Sequence, residues 1–172
     1  MTWTDLNGAL RNFAGVAKRY GVTLPGIGFW EMRAKRRIWR IKRGIMQENP
    51  RSWLMVTSWL IECGGVLIGE AGLKGPPAAR YTVEIGYSTL SGFRNKGYMT
   101  EAVGALTRFA FMQRDYHVEK VTALTLPDNI ASHRVLQKNG YTRQPSYGRY
   151  WLWERIKTPE DTDIFLQGEQ RL

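Results

Sequence analysis

The sequence lacks the means for disulfide chemistry, for a zinc site and for a membrane span. It contains one cysteine, Cys63, and two histidines, His117 and His133, in 172 residues. A single cysteine excludes an internal disulfide framework, and in the strand-like run that holds it the thiol reads as a small core side chain. Two histidines without further cysteines are too few for a structural zinc site. No apolar run approaches the roughly 18 to 20 residues that cross a bilayer. The start, Met1-Thr2-Trp3-Thr4-Asp5, has no charged-then-apolar leader pattern. The expectations are no metal, no membrane partner and a cytoplasmic chain. Acid is scarce as well: 15 Asp and Glu against 25 Lys and Arg give a formal charge of +10.

Much of that charge comes from Arg33, Lys35, Arg36, Arg37, Arg40, Lys42 and Arg43. Such a cluster suits an anionic partner, or it is a solvated helix face whose long stems cover apolar surface while the heads stay wet. The second reading places the residues from Lys35 to Arg43 toward solvent. The remaining composition, 43% hydrophobic and 23% charged, is that of an ordinary globular chain. One domain over 1–172 is expected, with a helical segment at 1–50, a sheet core at 53–156 and a polar tail at 157–172.

Leu6, Leu10, Phe13, Ala17 and Tyr20 recur at helical spacing and predict a helix over 4–20. Trp30, Ala34, Ile38, Ile41 and Ile45 predict the apolar face of a second helix that ends before Asn49-Pro50. From Trp53 to Cys63 the chain is nearly continuous in apolar and β-forming residues, which predicts a central strand covered on both faces. Gly64-Gly65 is a hairpin signal, and Val66 to Leu73 is the returning strand. Next, Tyr81, Val83, Ile85 and Tyr87 alternate with Thr82, Glu84, Gly86 and Ser88, the pattern of a half-buried strand. Val118 to Leu126 predicts another strand and Tyr150 to Trp153 a last one. Strands interleaved with helices in this order argue an α/β (α+β) fold with a mixed, mostly antiparallel sheet and helices on both faces.

Between two of these elements lies Ser91-Gly92-Phe93-Arg94-Asn95-Lys96-Gly97-Tyr98-Met99-Thr100. It follows a strand and opens a helix whose apolar face is Met99, Val103, Leu106 and Ala110, ending near Asp115. A helix start offers unpaired N–H groups and the positive end of the macrodipole, and Arg94 and Lys96 add charge there. Further on, Asp128 or Asn129 caps a short helix that stops at Gly140-Tyr141.

Arg94-Asn95-Lys96-Gly97-Tyr98-Met99 resembles the Q/R-x-x-G-x-G/A segment of the GCN5-related N-acetyltransferases, the GNAT superfamily. Asn129-Ile130-Ala131-Ser132 followed by Gly140-Tyr141 resembles that superfamily's second helix motif. The run Glu84-Ile85-Gly86-Tyr87 through Gly97-Tyr98-Met99-Thr100-Glu101-Ala102 is most similar to the RimJ/RimL-type branch. The resemblance covers roughly 53–153. It departs from the superfamily in having no clear strand before the first helix, Met99 at the last small position and Leu136 where many members carry an acidic tyrosine.

The resemblance implies transfer of the acetyl group of acetyl-CoA, the co-substrate, to a primary amine by direct attack in a ternary complex. It implies that Arg94, Asn95, Lys96, Gly97, Tyr98, Met99 and Thr100 hold the pyrophosphate. Main-chain groups near Tyr87 and Thr89 would pair with the pantetheine arm in a splayed gap between two strands, one amide polarising the thioester carbonyl. Asn129 and Ser132 would contact the cofactor, with Ser132 near the sulfur as the acid. Glu84, on the polar face of its strand, is the candidate base, its alternatives being a water chain or a solvated strand glutamate. Phe29 and Trp30, at the loop between the first two helices, would form an apolar wall for the acceptor. Two other classes remain: a GNAT-fold protein that binds CoA without catalysis, and a basic nucleic-acid- or ribosome-binding module. The latter has no motif beyond charge to support it. The expected partners are acetyl-CoA and an amine acceptor, with a homodimer left open.

Overall fold

The computed structural model of the chain describes residues 1–77, 81–146 and 148–161, without the side chains of Trp3, Phe29 and Trp30. Its helices are α1 (Trp3–Arg19), α2 (Phe29–Glu48), α3 (Trp53–Val56), α4 (Tyr98–Phe111) and α5 (Ile130–Lys138). Its strands are β1 (Trp59–Cys63), β2 (Val66–Leu73), β3 (Thr82–Thr89), β4 (Lys120–Thr125), β5 (Thr142–Arg143) and β6 (Trp151–Ile156). The six strands form one mixed, mostly antiparallel sheet in the order β1-β2-β3-β4-β6-β5. Among the described residues no strand precedes α1. The expected polar tail falls outside the described residues from 162 onward. The described residues form two compact units, the first within 1–75 and 86–99 and the second within 76–85 and 100–161.

In the first unit α1 begins with a capping box in which the Thr2 hydroxyl accepts from the Asp5 amide and the Asp5 carboxylate accepts from the Thr2 amide. Asp5 also accepts from Arg19 at 2.8 Å and from the Tyr20 hydroxyl. The helix kinks at Asn12 (φ −146°, ψ 88°), whose side chain accepts from the Gly15 amide at 3.0 Å. The buried face consists of Leu6, Ala9, Phe13, Val16 and Ala17, while Tyr20, expected on it, is exposed. Phe13 packs on Trp39 of α2 with ring centroids 4.6 Å apart.

Helix α2 corrects two expectations. Ile38 and Ile41, predicted to face the core, are about half exposed (47% and 57%), and Ala34 is exposed. The buried residues are instead Lys35, Trp39, Lys42 and Met46, again at spacings of four, three and four. Both lysines of the run assigned to solvent are therefore interior. The cause lies on β2, where every residue after Val66 is buried and one of them is Glu70. A buried carboxylate is tolerable only if it is paired. Lys35 Nζ donates to Glu70 Oε1 at 3.0 Å, and Trp39 Nε1 donates to Oε2 at 2.9 Å. One turn on, Lys42 Nζ donates to the carbonyls of Thr57 (2.9 Å) and Leu73 (3.3 Å). Gly72 makes room for this contact, since a Cβ there would lie 2.3 Å from the Thr57 carbonyl oxygen and 2.7 Å from Lys42 Nζ.

The run predicted as one central strand from Trp53 is a helical turn followed by β1, which is an edge strand and largely exposed. The single-turn helix α3 buries Met55 and Val56. The strand covered on both faces is β2. Cys63, expected in the core, is exposed at the end of β1. The loop from Gly21 forms a bridge between Thr23 and Val66.

In the second unit β3 pairs with β4 in parallel over Thr82–Lys120, Val83–Val121 and Glu84–Thr122, and β4 pairs with β6 over six antiparallel steps. Tyr81, predicted to share the buried face of Val83 and Ile85, is exposed with φ +52° and lies just before β3. Helix α4 buries Val103, Leu106, Ala110 and Phe111, and it ends at Phe111 rather than near Asp115. The Thr107 and Tyr141 hydroxyls pair at 2.7 Å beneath it. His133 of α5 stacks on Trp151 of β6 at 4.6 Å with its Nε2 3.1 Å from the Leu126 carbonyl oxygen.

Burial pushes the Lys42 ammonium down to about 8, with Glu70 opposing and Lys74 adding to the shift. Its folded value lies below the unfolded one, near 10.4, so between these limits the unfolded state binds more protons and stability rises with pH. Above pH 10 Tyr20, raised to about 12 by its hydrogen bond to Asp5 and by burial, acts in the opposite sense. Chemical denaturation from pH 8 to 10 should show the unfolding free energy climbing by up to about 1 kcal/mol per pH unit, and Lys42→Met should flatten the climb. An equal slope in the variant would refute this assignment.

Candidate active site

The two predicted motifs are built differently. In the first unit β3 ends at Thr89, a 3₁₀ turn follows at Ser91–Phe93, and α4 begins at Tyr98. The turn closes with the Phe93 amide donating to the Leu90 carbonyl at 2.9 Å. Arg94 Nε reaches back to the Thr89 carbonyl oxygen at 3.4 Å, which ties the loop to the end of the strand. Lys96 Nζ stands 5.6 Å from the centroid of the Phe93 ring.

Asn95 (φ +61°) and Gly97 (φ +84°) both lie in the left-handed region. Asparagine tolerates that region, whereas at Gly97 a side chain would be strained. A Cβ at Gly97 would meet nothing within 4 Å, so the glycine serves backbone conformation and leaves open space over the helix start. Arg94, Asn95, Lys96 and Gly97 are all exposed. A 14-residue helix thus begins after a segment with two exposed basic residues and an uncovered stretch of backbone, an arrangement that attracts an anion such as a phosphate.

Met99 stands at the last small position of the motif. Its side chain is buried at 7% exposure, and its Cε lies 3.3 Å from where a Cβ on Gly69 would be. The methionine therefore packs inward on β2. The Tyr98 hydroxyl contacts Cys63, and that hydrogen bond raises the phenol above its ordinary range. Tyr87 and Thr89 are half-buried along β3.

In the second unit Asn129 caps α5, its Oδ1 accepting from the Ser132 amide at 3.2 Å. Asn129 supplies the cap itself, so the Ser132 hydroxyl is not required for it. Ser132 is half-buried one residue before His133. At the other end of α5 the Asn139 amide donates to the Thr100 carbonyl at 3.0 Å and the Val135 carbonyl at 2.9 Å, which anchors the first turn of α4. Leu136, at the position of the superfamily's tyrosine, is fully buried and belongs to the core. Glu84 is half-buried on β3, where its backbone pairs with Thr122. Phe29 and Trp30 form the first turn of α2, and their side chains lie outside what is described.

The sequence reading missed the group Lys35, Trp39, Glu70 and Ser88, in which Lys35 Nζ also donates to Ser88 Oγ at 2.8 Å. The available signal was Glu70 itself, a lone carboxylate in the otherwise uncharged run Val-Leu-Ile-Gly-Glu-Ala-Gly-Leu. Among the described residues no group of three His, Cys, Asp or Glu side chains could hold a metal ion, and no helix is long and apolar enough to cross a membrane.

A family model described as the acetyltransferase (GNAT) domain matches residues 4–142. The chain belongs to this GNAT acetyltransferase family. It is 30% identical over 102 residues to the uncharacterized N-acetyltransferase YjdG of Bacillus subtilis, a match that spans 59% of this chain and 57% of that relative. Its fold is similar to that of RimL, a ribosomal L7/L12 alpha-N-protein acetyltransferase solved in complex with coenzyme A. That likeness has a TM-score of 0.59 at 16% identity and covers 91% of this chain and 90% of RimL. An acetyltransferase from Agrobacterium tumefaciens gives a TM-score of 0.58 at 19% identity, covering 76% and 75% of the two chains. Both likenesses are likenesses of fold.

Proposed function

We propose that this chain is an acetyl-CoA-dependent N-acetyltransferase that acts on a primary amine. The observation that carries the proposal is the loop at Arg94–Gly97. A family member of this class needs a phosphate-binding helix start, and here the left-handed Gly97, where a side chain would meet nothing within 4 Å, precedes α4 and follows the exposed Arg94 and Lys96. The RimL structure was solved with coenzyme A, which supports the same ligand for this chain.

The residue roles follow from chemistry. Amides from Asn95 to Thr100, with Arg94 and Lys96, suit the pyrophosphate. Main-chain groups of Tyr87 and Thr89 suit the pantetheine amides. Asn129 orients the helix start at which Ser132 would meet the sulfur. The position at which many members carry a tyrosine acid is Leu136, in the core, which makes Ser132 the candidate to protonate the leaving thiolate. An amine with pKa near 10 must lose a proton before it attacks, and Glu84 is the proposed base. Phe29 and Trp30 are the proposed apolar contacts for the acceptor. The proposed setting is cytoplasmic.

Acetyl-CoA should raise the melting temperature of the wild-type protein, because a ligand of the folded state alone stabilises it by mass action. Gly97→Asp places a carboxylate where phosphate must approach and should abolish the rise, whereas Gly97→Ala, which adds only strain, should weaken it. A full shift in folded Gly97→Asp would remove the phosphate assignment. Release of free CoA with a panel of primary amines then tests turnover. Glu84→Gln should leave acetyl-CoA binding intact and lower kcat by about 10²-fold. The deficit should shrink at high pH, where the amine deprotonates unaided; a deficit constant across pH would mark Glu84 as structural.

A further inference from the structure

The buried group of the first unit has no part in the roles above. Lys35, 5% exposed, gives hydrogen bonds to Glu70 Oε1 and Ser88 Oγ, and Glu70 Oε2 is taken by Trp39 Nε1. With both oxygens engaged by donors, Glu70 is a counter-ion rather than a base. An ammonium can only donate, so Ser88 must receive Lys35 on an oxygen lone pair. The single hydroxyl proton of Ser88 is then directed away from Lys35, toward another acceptor. The charge on Lys35 draws electron density from that oxygen and makes its O–H a stronger donor.

Energetics favour a role beyond packing. A buried ion pair is often no more stabilising than apolar side chains of the same volume, because desolvation offsets the attraction. What the pair does provide is a fixed, polarised hydroxyl one residue before the end of β3. Ser88 lies between Tyr87 and Thr89, the two residues assigned to the pantetheine arm that ends in the thioester.

We propose that Ser88 is a catalytic hydrogen-bond donor to the thioester carbonyl oxygen and that Lys35, held by Glu70 and Trp39, is the positioning residue that orients it. The inference rests on the acetyl-CoA reading given above. In the step, a neutral amine nitrogen bonds to the thioester carbon and the carbonyl π pair moves onto oxygen, where the Ser88 O–H stabilises it. The pair then re-forms the carbonyl, the C–S bond breaks and the sulfur leaves with its electrons. The nitrogen gives its surplus proton to the base and the thiolate gains one, so amine and acetyl-CoA become amide and CoA thiol. Nothing is oxidised or reduced, and Ser88 keeps its proton.

The test uses acetyl-CoA with hydroxylamine, a nucleophile that is largely neutral at pH 7 and needs no deprotonation before it attacks, so that carbonyl activation is read apart from the amine deprotonation assigned to Glu84. Ser88→Ala should lower kcat by about 10²-fold while keeping the acetyl-CoA-induced thermal shift and the melting temperature of the free protein. Ser88→Thr, which retains the hydroxyl, should recover most of the rate. Lys35→Met combined with Glu70→Gln removes both charges without stranding one, and it should show the same loss. Adding Ser88→Ala to that pair should cost nothing more, since the residues act as one device. A wild type that shows no acetyl-CoA shift would overturn the functional reading itself. If the wild type binds acetyl-CoA, the role of Ser88 is overturned by failure to accelerate hydroxylamine acetylation, by an unchanged kcat in Ser88→Ala, or by additive losses in the triple variant.

Discussion

A carboxylate on a strand covered from both faces must be met by buried donors, and in this protein that requirement at Glu70 sets the first unit. Lys35 and Trp39 are four residues apart on α2 and supply one donor to each carboxylate oxygen. Once they face β2, the rotation of the helix is fixed. Lys42 and Met46 turn inward with them, and Ile38 and Ile41 turn out to solvent. The opposite rotation would bury Ile38 and Ile41 but leave Glu70 without its donors and turn out Trp39 and Met46. Unpaired, the carboxylate would cost several kcal/mol, against roughly 1.5 to 3 kcal/mol for burying one isoleucine fully.

The same pair reaches the next strand through Ser88, and from there the chain is tied step by step. Arg94 bonds back to Thr89, the 3₁₀ turn closes on Leu90, and Gly97 takes the left-handed conformation that lets α4 start without a covering side chain. Met99 then buries its side chain against β2 at Gly69. The loop that offers its backbone to an anion is therefore held at both ends. Preorganisation of this kind reduces the ordering that a bound phosphate would otherwise have to impose.

Where one periodicity dominated, the sequence was readable. Met99, Val103, Leu106 and Ala110 mark the inner face of α4, Val66 to Leu73 is β2 with its bounds as expected, and Asn129 caps α5. Reading failed where two patterns competed. In α2 the isoleucines and the Lys35, Trp39, Lys42 and Met46 series have the same helical spacing, and only the partner on β2 decides between them. From Trp53 to Cys63 an apolar run without period concealed a helical turn before an edge strand, and Cys63 came out exposed. The loop that opens α4 was legible because its features reside in backbone and glycine, which a motif records. Ser88 was not, because its significance depends on a lysine 53 residues away.

The claim on which the functional account stands is that acetyl-CoA binds through the loop that opens α4. Backbone amide resonances followed by NMR during titration with acetyl-CoA test it most directly. The account predicts saturable shifts that are largest for the amides from Asn95 to Thr100, with smaller ones at Tyr87 and Thr89. Shifts confined to the exposed arginines of α2, or none at the helix start at saturating ligand, would contradict it.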